Sequence, residues 1–203
     1  LYGPPGTGKT AFGRWLAAQM GVPILVRRAS DLMDKYLGET EKRIAFAFRE
    51  AEQGGALLLI DEVDSFLQDR RNAQSSWEVS HVNEMLTQIE SFSGVFIAST
   101  NLMSGLDQAA LRRFDLKVKF DFLNSQQSCE LLQRHCLALS FPLPDSNQQS
   151  RLKHLKVLTP GDFAAVMRQH RFRPLKCAAE LISALEAECR VKGGAPAPIG
   201  FIH

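Results

Sequence analysis

Gly3 to Thr10 reads GPPGTGKT and fits the spacing G-x-x-x-x-G-K-[ST]. Glycines at Gly3, Gly6 and Gly8, with Pro4, Pro5 and Thr7 between them, let successive backbone N–H groups curl around an anion. The N-terminus of a following helix adds the positive end of its dipole. In such a loop Lys9 reaches the β- and γ-phosphates of a nucleoside triphosphate and Thr10 ligates Mg²⁺. Ala11, next along the helix, is counted with these nucleotide-binding residues.

A second cluster supplies the groups that would act on the bound phosphate. Leu57 to Glu62 reads LLLIDE and puts two acids at the end of an apolar run. Ligands of parallel sheets collect at that edge. Asp61 is expected to hold the Mg²⁺ through its water shell, and Glu62 to polarise the attacking water as general base. Asp64 reads as a helix cap or a contact to a neighbouring subunit rather than a second base. Asn101, closing the run GVFIASTN, carries an amide that can orient the water between Glu62 and the γ-phosphate; a turn-forming Asn is the plainer alternative. Arg112 and Arg113 stand side by side in ALRRFD, after a short helix. If subunits form a ring, such arginines can enter a neighbour's site and neutralise transition-state charge. Alone they would read as a solvated basic turn.

These groups need a scaffold. Thr10–Met20, Glu39–Gln53 and Ser76–Glu90 have helical patterning, the second carrying Ile44, Ala47, Phe48 and Ala51 on one face. Pro23–Arg28, Ala56–Asp61, Gly94–Thr100 and Leu116–Phe120 read as strands. Helices and strands alternate through Phe120, which predicts a parallel sheet with helices on both faces. From Ser125 only helices are expected: Ser125–Ser140, Gln148–Leu155, Thr159–His170 and Pro174–Arg190, with Phe141–Asp145 as a loop. The expected division is 1–123, an α/β subdomain, then 124–192, a small helical subdomain, then 193–203, an extended Gly/Pro-rich tail. Only Leu1 and Tyr2 precede the phosphate loop, where a full strand is required, so the chain reads as a piece of a longer one.

Composition narrows the partners. The 203 residues carry a net charge of only +2, which by itself implies neither a nucleic-acid nor a membrane partner. No apolar run approaches bilayer length. Four cysteines without a CxxC pair read as buried free thiols in a reducing compartment. Arg168–Lys176, basic with Phe172 interleaved, reads as a solvated helix end, with a nucleic-acid contact as the alternative.

Together the phosphate loop, LLLIDE, Asn101 and TNLMSGLDQAALRRFD resemble an AAA ATPase in the narrow sense, the last stretch being similar to that clade's second region of homology. The resemblance covers about the whole chain and implies a P-loop NTPase sheet followed by a helical lid. TPGDF, Thr159–Phe163, resembles the lid segment that approaches adenine through small residues, implying Gly161 as a nucleotide contact. TQIESF, Thr87–Phe92, resembles the intersubunit signalling segment of membrane AAA proteases, with Glu and Ser replacing Asp and Gly. The arginine segment is shorter than the usual RPGRFDR or RRRFEKR, which leaves open which of Arg112 and Arg113 takes which role. KYLGETEKRI is similar to the first pore loop of katanin and spastin, whose aromatic faces a central channel. There Tyr36 would grip an extended polypeptide, Lys35 would line the pore and Leu37 would brace it; without the resemblance Tyr36 would read as a half-buried packing residue. Trp77, beside Arg70 and Arg71, would pack or form a second pore layer.

The resemblance implies an ATP- and Mg²⁺-dependent protein unfoldase or remodeller, acting as a homo-oligomeric ring, a hexamer, in the cytoplasm. It implies a polypeptide substrate and no nucleic acid; the upstream region that would decide a membrane link lies outside the sequence. Two rivals remain open. A nucleic-acid-dependent motor or loader should carry basic pore residues in place of Lys-Tyr-Leu. A nucleotide-gated assembly scaffold would not need Glu62.

Overall fold

The computed structural model describes residues 1–36, 38–69, 75–102 and 106–193. They fall into two compact units, one of Leu1–Pro4 with Lys9–Phe120, the other of Pro5–Gly8 with the chain from Asp121 onward.

In the first unit the order is α1 (Lys9–Met20), β1 (Ile24–Arg28), α2 (Ala29–Leu32), α3 (Glu39–Gln53), β2 (Leu57–Asp61), α4 (Asp64–Leu67), α5 (Ser76–Ser91), β3 (Phe96–Ala98) and α6 (Gln108–Arg113). The strands are parallel in the order β1-β2-β3, with Arg28 opposite Asp61 and Ile60 opposite Ala98. The unbroken apolar run of β2 follows from burial on both faces. Leu58 and Ile60 join Ile44, Ala47 and Phe48 of α3 and Met85 of α5 in one cluster. Leu57 and Leu59 point the other way, to Ala17 of α1 and Ile97. All four β2 residues are essentially inaccessible, each such side chain stabilising the fold by roughly 2 kcal/mol relative to exposure. This double anchoring fixes where Asp61 and Glu62 emerge.

The expected strand at Leu116–Phe120 does not form. Among the described residues Lys119 makes one isolated bridge to Tyr2, which also bridges Thr100. Tyr2 N–H donates to the Val118 carbonyl at 3.1 Å, and Phe120 N–H to the Tyr2 carbonyl at 2.7 Å. The chain leaves the sheet direction at Gly3, so Tyr2 can support one rung but no ladder. β3, at Phe96–Ala98, is shorter than the expected Gly94–Thr100 strand.

The second unit contains α7 (Ser125–Ala138), α8 (Ser146–Lys153), α9 (Pro160–His170) and α10 (Ala178–Lys192). Asn124 and Asp145 exchange hydrogen bonds with Gln127 and Gln148 three residues on, capping α7 and α8. The core gathers Leu132, Leu152, Leu158, Phe163, Leu181 and Leu185. Arg151 joins α8 to α10 by a two-pronged contact with Glu186, at 3.0 and 2.9 Å. The last helix begins at Ala178 and not at the expected Pro174. Leu175 N–H is taken by His170 Nδ1 and Lys176 N–H by the Glu180 carboxylate, both at 2.9 Å, so the stretch before Cys177 is held outside the helix. All four cysteines are free; Cys136 and Cys189 are buried, Cys129 and Cys177 half-buried. Burial pushes the Cys136 and Cys189 thiols up, keeping them protonated. Among the described residues no helix is long and apolar enough to cross a membrane.

Candidate active site

Gly3 turns the chain out of the sheet with φ +138°, and a Cβ there would lie 1.8 Å from the Phe120 carbonyl oxygen. No side chain fits that approach, so the first position of the phosphate loop is restricted to glycine. Lys9 opens α1 and is buried. Its three ammonium protons have three acceptors: the Gly3 carbonyl at 2.8 Å, the Pro4 carbonyl at 3.0 Å and Asn101 Oδ1 at 2.9 Å. Burial lowers the Lys9 pKa, while the charges of Asp61 and Asp64 oppose that shift. The amine is thus anchored at the sheet edge and hydrogen-bonded through every donor. Ala11 is exposed in the first turn of α1.

Asp61 is the hub. Thr10 Oγ1 donates to Asp61 Oδ2 at 2.6 Å, Ser99 Oγ donates to Asp61 Oδ1 at 2.5 Å, and Glu62 N–H donates to Oδ1 at 3.1 Å. A hydroxyl beside a carboxylate is a hard oxygen pair that suits Mg²⁺. Among the described residues no group of three or more His, Cys, Asp or Glu could hold a metal. Mg²⁺ usually keeps several of its waters and takes one or two carboxylates together with substrate phosphates. Ser99 was not anticipated. Its signal was register: Ile60 pairs with Ala98, which sets Ser99 opposite Asp61.

Glu62 differs sharply from its neighbours. It is exposed, its carboxylate has no partner among the described residues, and its φ is +59°. A left-handed non-glycine residue costs about 1 kcal/mol and is retained where the surroundings enforce it. Asp64, one turn on, is the first residue of α4 and accepts the Thr100 hydroxyl, while Val63 holds the cap position. Asp64 is therefore occupied and Glu62 is free. Asn101 is exposed and its Oδ1 accepts from Lys9, while its amide Nδ2 has no partner among the described residues.

The two arginines form the last turn of α6 and do not follow it, and they are not equivalent. Arg113 pairs with Glu90 of α5 at 2.5 Å and donates to the Ala109 carbonyl at 2.9 Å, with its Nε buried and unpaired. Arg112 is exposed and has no partner among the described residues. Glu90 lies in the TQIESF stretch, so that segment and the arginine turn are tied within one chain.

In the second unit the arc Pro5–Gly8 clusters with the start of α9. Gly161 N–H donates to the Gly6 carbonyl at 2.8 Å. A Cβ on Gly161 would lie 2.8 Å from Gly6 Cα, so this backbone contact excludes any side chain at 161. Asp162 holds the turn: its buried carboxylate accepts from Thr159 N–H at 2.8 Å, Thr159 Oγ1 at 2.9 Å and Lys192 Nζ at 2.6 Å.

The loop before α3 is braced. The Asp34 carboxylate accepts from Tyr36 N–H at 3.0 Å and pairs with Arg43, and Thr40 Oγ1 accepts from Asp34 N–H at 2.9 Å. The Tyr36 amide foremost, opposed by desolvation and helped by the Arg43 charge, holds the Asp34 carboxyl below its ordinary pKa. Gly38 caps α3 at φ +81°. On this frame the Tyr36 ring is 64% exposed, with Lys35 Nζ 5.0 Å from its centroid. Leu37 lies outside the described residues, as do Arg70 and Arg71; Trp77 is half-exposed and lies against His81 at 5.5 Å.

Residues 1–122 match the ATPase family associated with various cellular activities (AAA). The chain is 30% identical to Protein SAV of Sulfolobus acidocaldarius over 83% of its own length and 22% of that protein. It is 33% identical to spastin of Anopheles gambiae over 87% of the chain and 22% of spastin. With vacuolar protein sorting-associated protein 4 of Dictyostelium discoideum it shares 28% identity over 87% of the chain and 41% of that protein. The chain thus spans well under half of each relative. A family match over more than half of the chain, on the residues that build the phosphate loop and the Asp61 hub, places the chain in the AAA ATPase family.

Proposed function

We propose that this chain hydrolyses ATP with Mg²⁺ as one subunit of a homo-oligomeric, hexameric ring that pulls on a polypeptide. In this reading residues 1–123 are the ATPase core and 124–192 a lid. The amides of Gly3–Gly8 and Lys9 hold the phosphates, with Lys9 exchanging one of its three present acceptors for a phosphate oxygen. Thr10 and Asp61 hold the Mg²⁺, which supplies charge neutralisation on the phosphate oxygens. Glu62 accepts the proton of the attacking water, and the Nδ2 of Asn101 orients that water. Gly161 brings backbone, with no side chain, to the phosphate-loop arc. Arg112 acts in the neighbouring subunit's site. Four free thiols suit a cytoplasmic location.

The observation that carries the reading is the contrast at the end of β2. Asp61 is saturated by Thr10 and Ser99, while the next residue is a strained, exposed and unpaired acid. A structural acid pair would not leave one member free at a conformational cost. Lys9→Ala tests the nucleotide assignment: ATP affinity by calorimetry should fall by roughly 100-fold or more, because a charge-assisted phosphate contact is lost. Unchanged affinity would remove the phosphate-loop assignment.

Tyr36 tests the pulling. Its exposure on a hydrogen-bonded loop supports contact with a partner rather than packing. Tyr36→Ala should leave the melting temperature and basal ATP turnover at wild-type values while abolishing unfolding of a tagged fluorescent substrate. Tyr36→Phe should retain unfolding, since a flat apolar face suffices. A drop in stability with parallel loss of both activities would mean that Tyr36 packs.

A further inference from the structure

We infer that the groove between α9 and α10 docks an acidic polypeptide segment carrying one apolar anchor residue. The groove encloses ≈ 550 Å³ and is floored by Val166, Leu175, Ala184 and Ala187. Its rim is the turn from Arg168 to Lys176. Arg168, Arg171, Arg173 and Lys176 are exposed, and none of their side chains makes a hydrogen bond or ion pair among the described residues. This stretch holds no acid and carries +4, in a chain whose whole net charge is +2. Among the neighbouring acids Asp162 is paired with Lys192, Glu186 with Arg151 and Glu188 with Gln169, while Glu180, the one acid of the groove lining, accepts Lys176 N–H. Phe172 stands among these cations 90% exposed.

The turn is rigid, which separates it from a frayed helix end. Arg171 N–H is taken by the Arg168 carbonyl, and Phe172 and Arg173 N–H both go to the Gln169 carbonyl at 2.9 Å. Pro174 has no N–H, Leu175 N–H goes to His170 Nδ1, and Lys176 N–H goes to Glu180. Every amide from 171 to 176 is therefore satisfied, so the backbone of the turn needs little ordering on binding and the cost that remains is that of its side chains. Unpaired guanidinium forks favour carboxylates. Val166, Leu175, Ala184 and Ala187 suit a leucine-like anchor, and His170 is the single aromatic ring among the described lining residues, whereas single-stranded nucleic-acid sites use successive aromatic faces.

The test uses a short fluorescein-labelled Glu/Asp peptide with one central Leu, titrated with the full chain and followed by anisotropy. Saturable binding is expected, weakening by roughly tenfold between low salt and about 300 mM salt as the charges are screened. Arg171→Glu with Arg173→Glu should weaken it by about tenfold or more, and Ala187→Trp, which fills the groove, should weaken it comparably. All three positions are exposed, and unchanged melting temperatures confirm folding. A peptide with Ser in place of Leu should bind more weakly than its parent. The inference is overturned if no peptide binds, if the Ser peptide binds equally, or if charge reversal has no effect. It is also overturned if oligo-dT binds more tightly than the peptide, or if the variants alter self-association by sedimentation and leave peptide binding untouched. The first of these last two outcomes would assign the surface to nucleic acid, the second to another copy of this chain.

Discussion

Arg112→Ala should reduce ATP turnover of the assembled protein by about 10³-fold or more while leaving the ATP affinity of the isolated chain unchanged. The side chain has no structural partner to lose, so the melting temperature should not move. Arg113→Ala should behave differently. It removes the contact to Glu90 and the bond to the Ala109 carbonyl. Glu90 is more than half exposed, so screening limits the ion pair to about 1 kcal/mol or less. The expected signature is a lower melting temperature with a smaller loss of turnover, reproduced by Glu90→Gln. Mixing Arg112→Ala subunits with Lys9→Ala subunits provides the decisive measurement. Each lacks what the other keeps, so some mixed interfaces regain a complete site and turnover recovers. Rings that assemble yet never recover would exclude action between subunits. A large turnover loss in Arg113→Ala at unchanged stability would exchange the two roles.

Glu62→Gln should slow turnover by roughly 10²- to 10⁴-fold and keep ATP bound, because it removes the base and preserves size and backbone geometry. Since the carboxylate has no partner among the described residues, stability should be unaffected, which separates chemistry from folding. Single-turnover hydrolysis measured beside calorimetric affinity resolves the two. Retention of most of the turnover would show that another group activates water, and Asp64, tied up by Thr100, is poorly suited to do so.

Local spacing made the phosphate loop, the acid pair and Asn101 legible, because each motif encodes its own backbone. The two-sided burial of β2 was legible from its unbroken apolar run. What escaped was tertiary. Ser99 reaches Asp61 only through strand register, and Glu90 reaches Arg113 only because α5 and α6 pack together. The Leu116–Phe120 segment has the alternation of a strand, but alternation says nothing about whether a partner of equal length lies alongside. The start of α10 was misplaced because His170 and Glu180 side chains captured amides that would otherwise have entered the helix. The expected strands and helices were otherwise recovered within a few residues, and the helical second unit was evident from the loss of alternation after Phe120.

The brace beneath Tyr36 has a mechanical consequence. Arg43 clamps the Asp34 carboxylate and also donates to the Met33 carbonyl at 3.3 Å, so the loop is fastened to α3 rather than hung from it. α3 is 15 residues, about 22 Å of stiff rod, and only Gly54, Gly55 and Ala56 separate its end from β2. If Tyr36 pulls on a polypeptide as proposed, load applied at its ring would run along one rod and one strand to Asp61, with little slack to absorb it. Tension and hydrolysis would then share a single lever, and Arg43→Ala, by freeing the Asp34 carboxylate that holds the Tyr36 amide, would loosen the tip without touching the phosphate-binding residues.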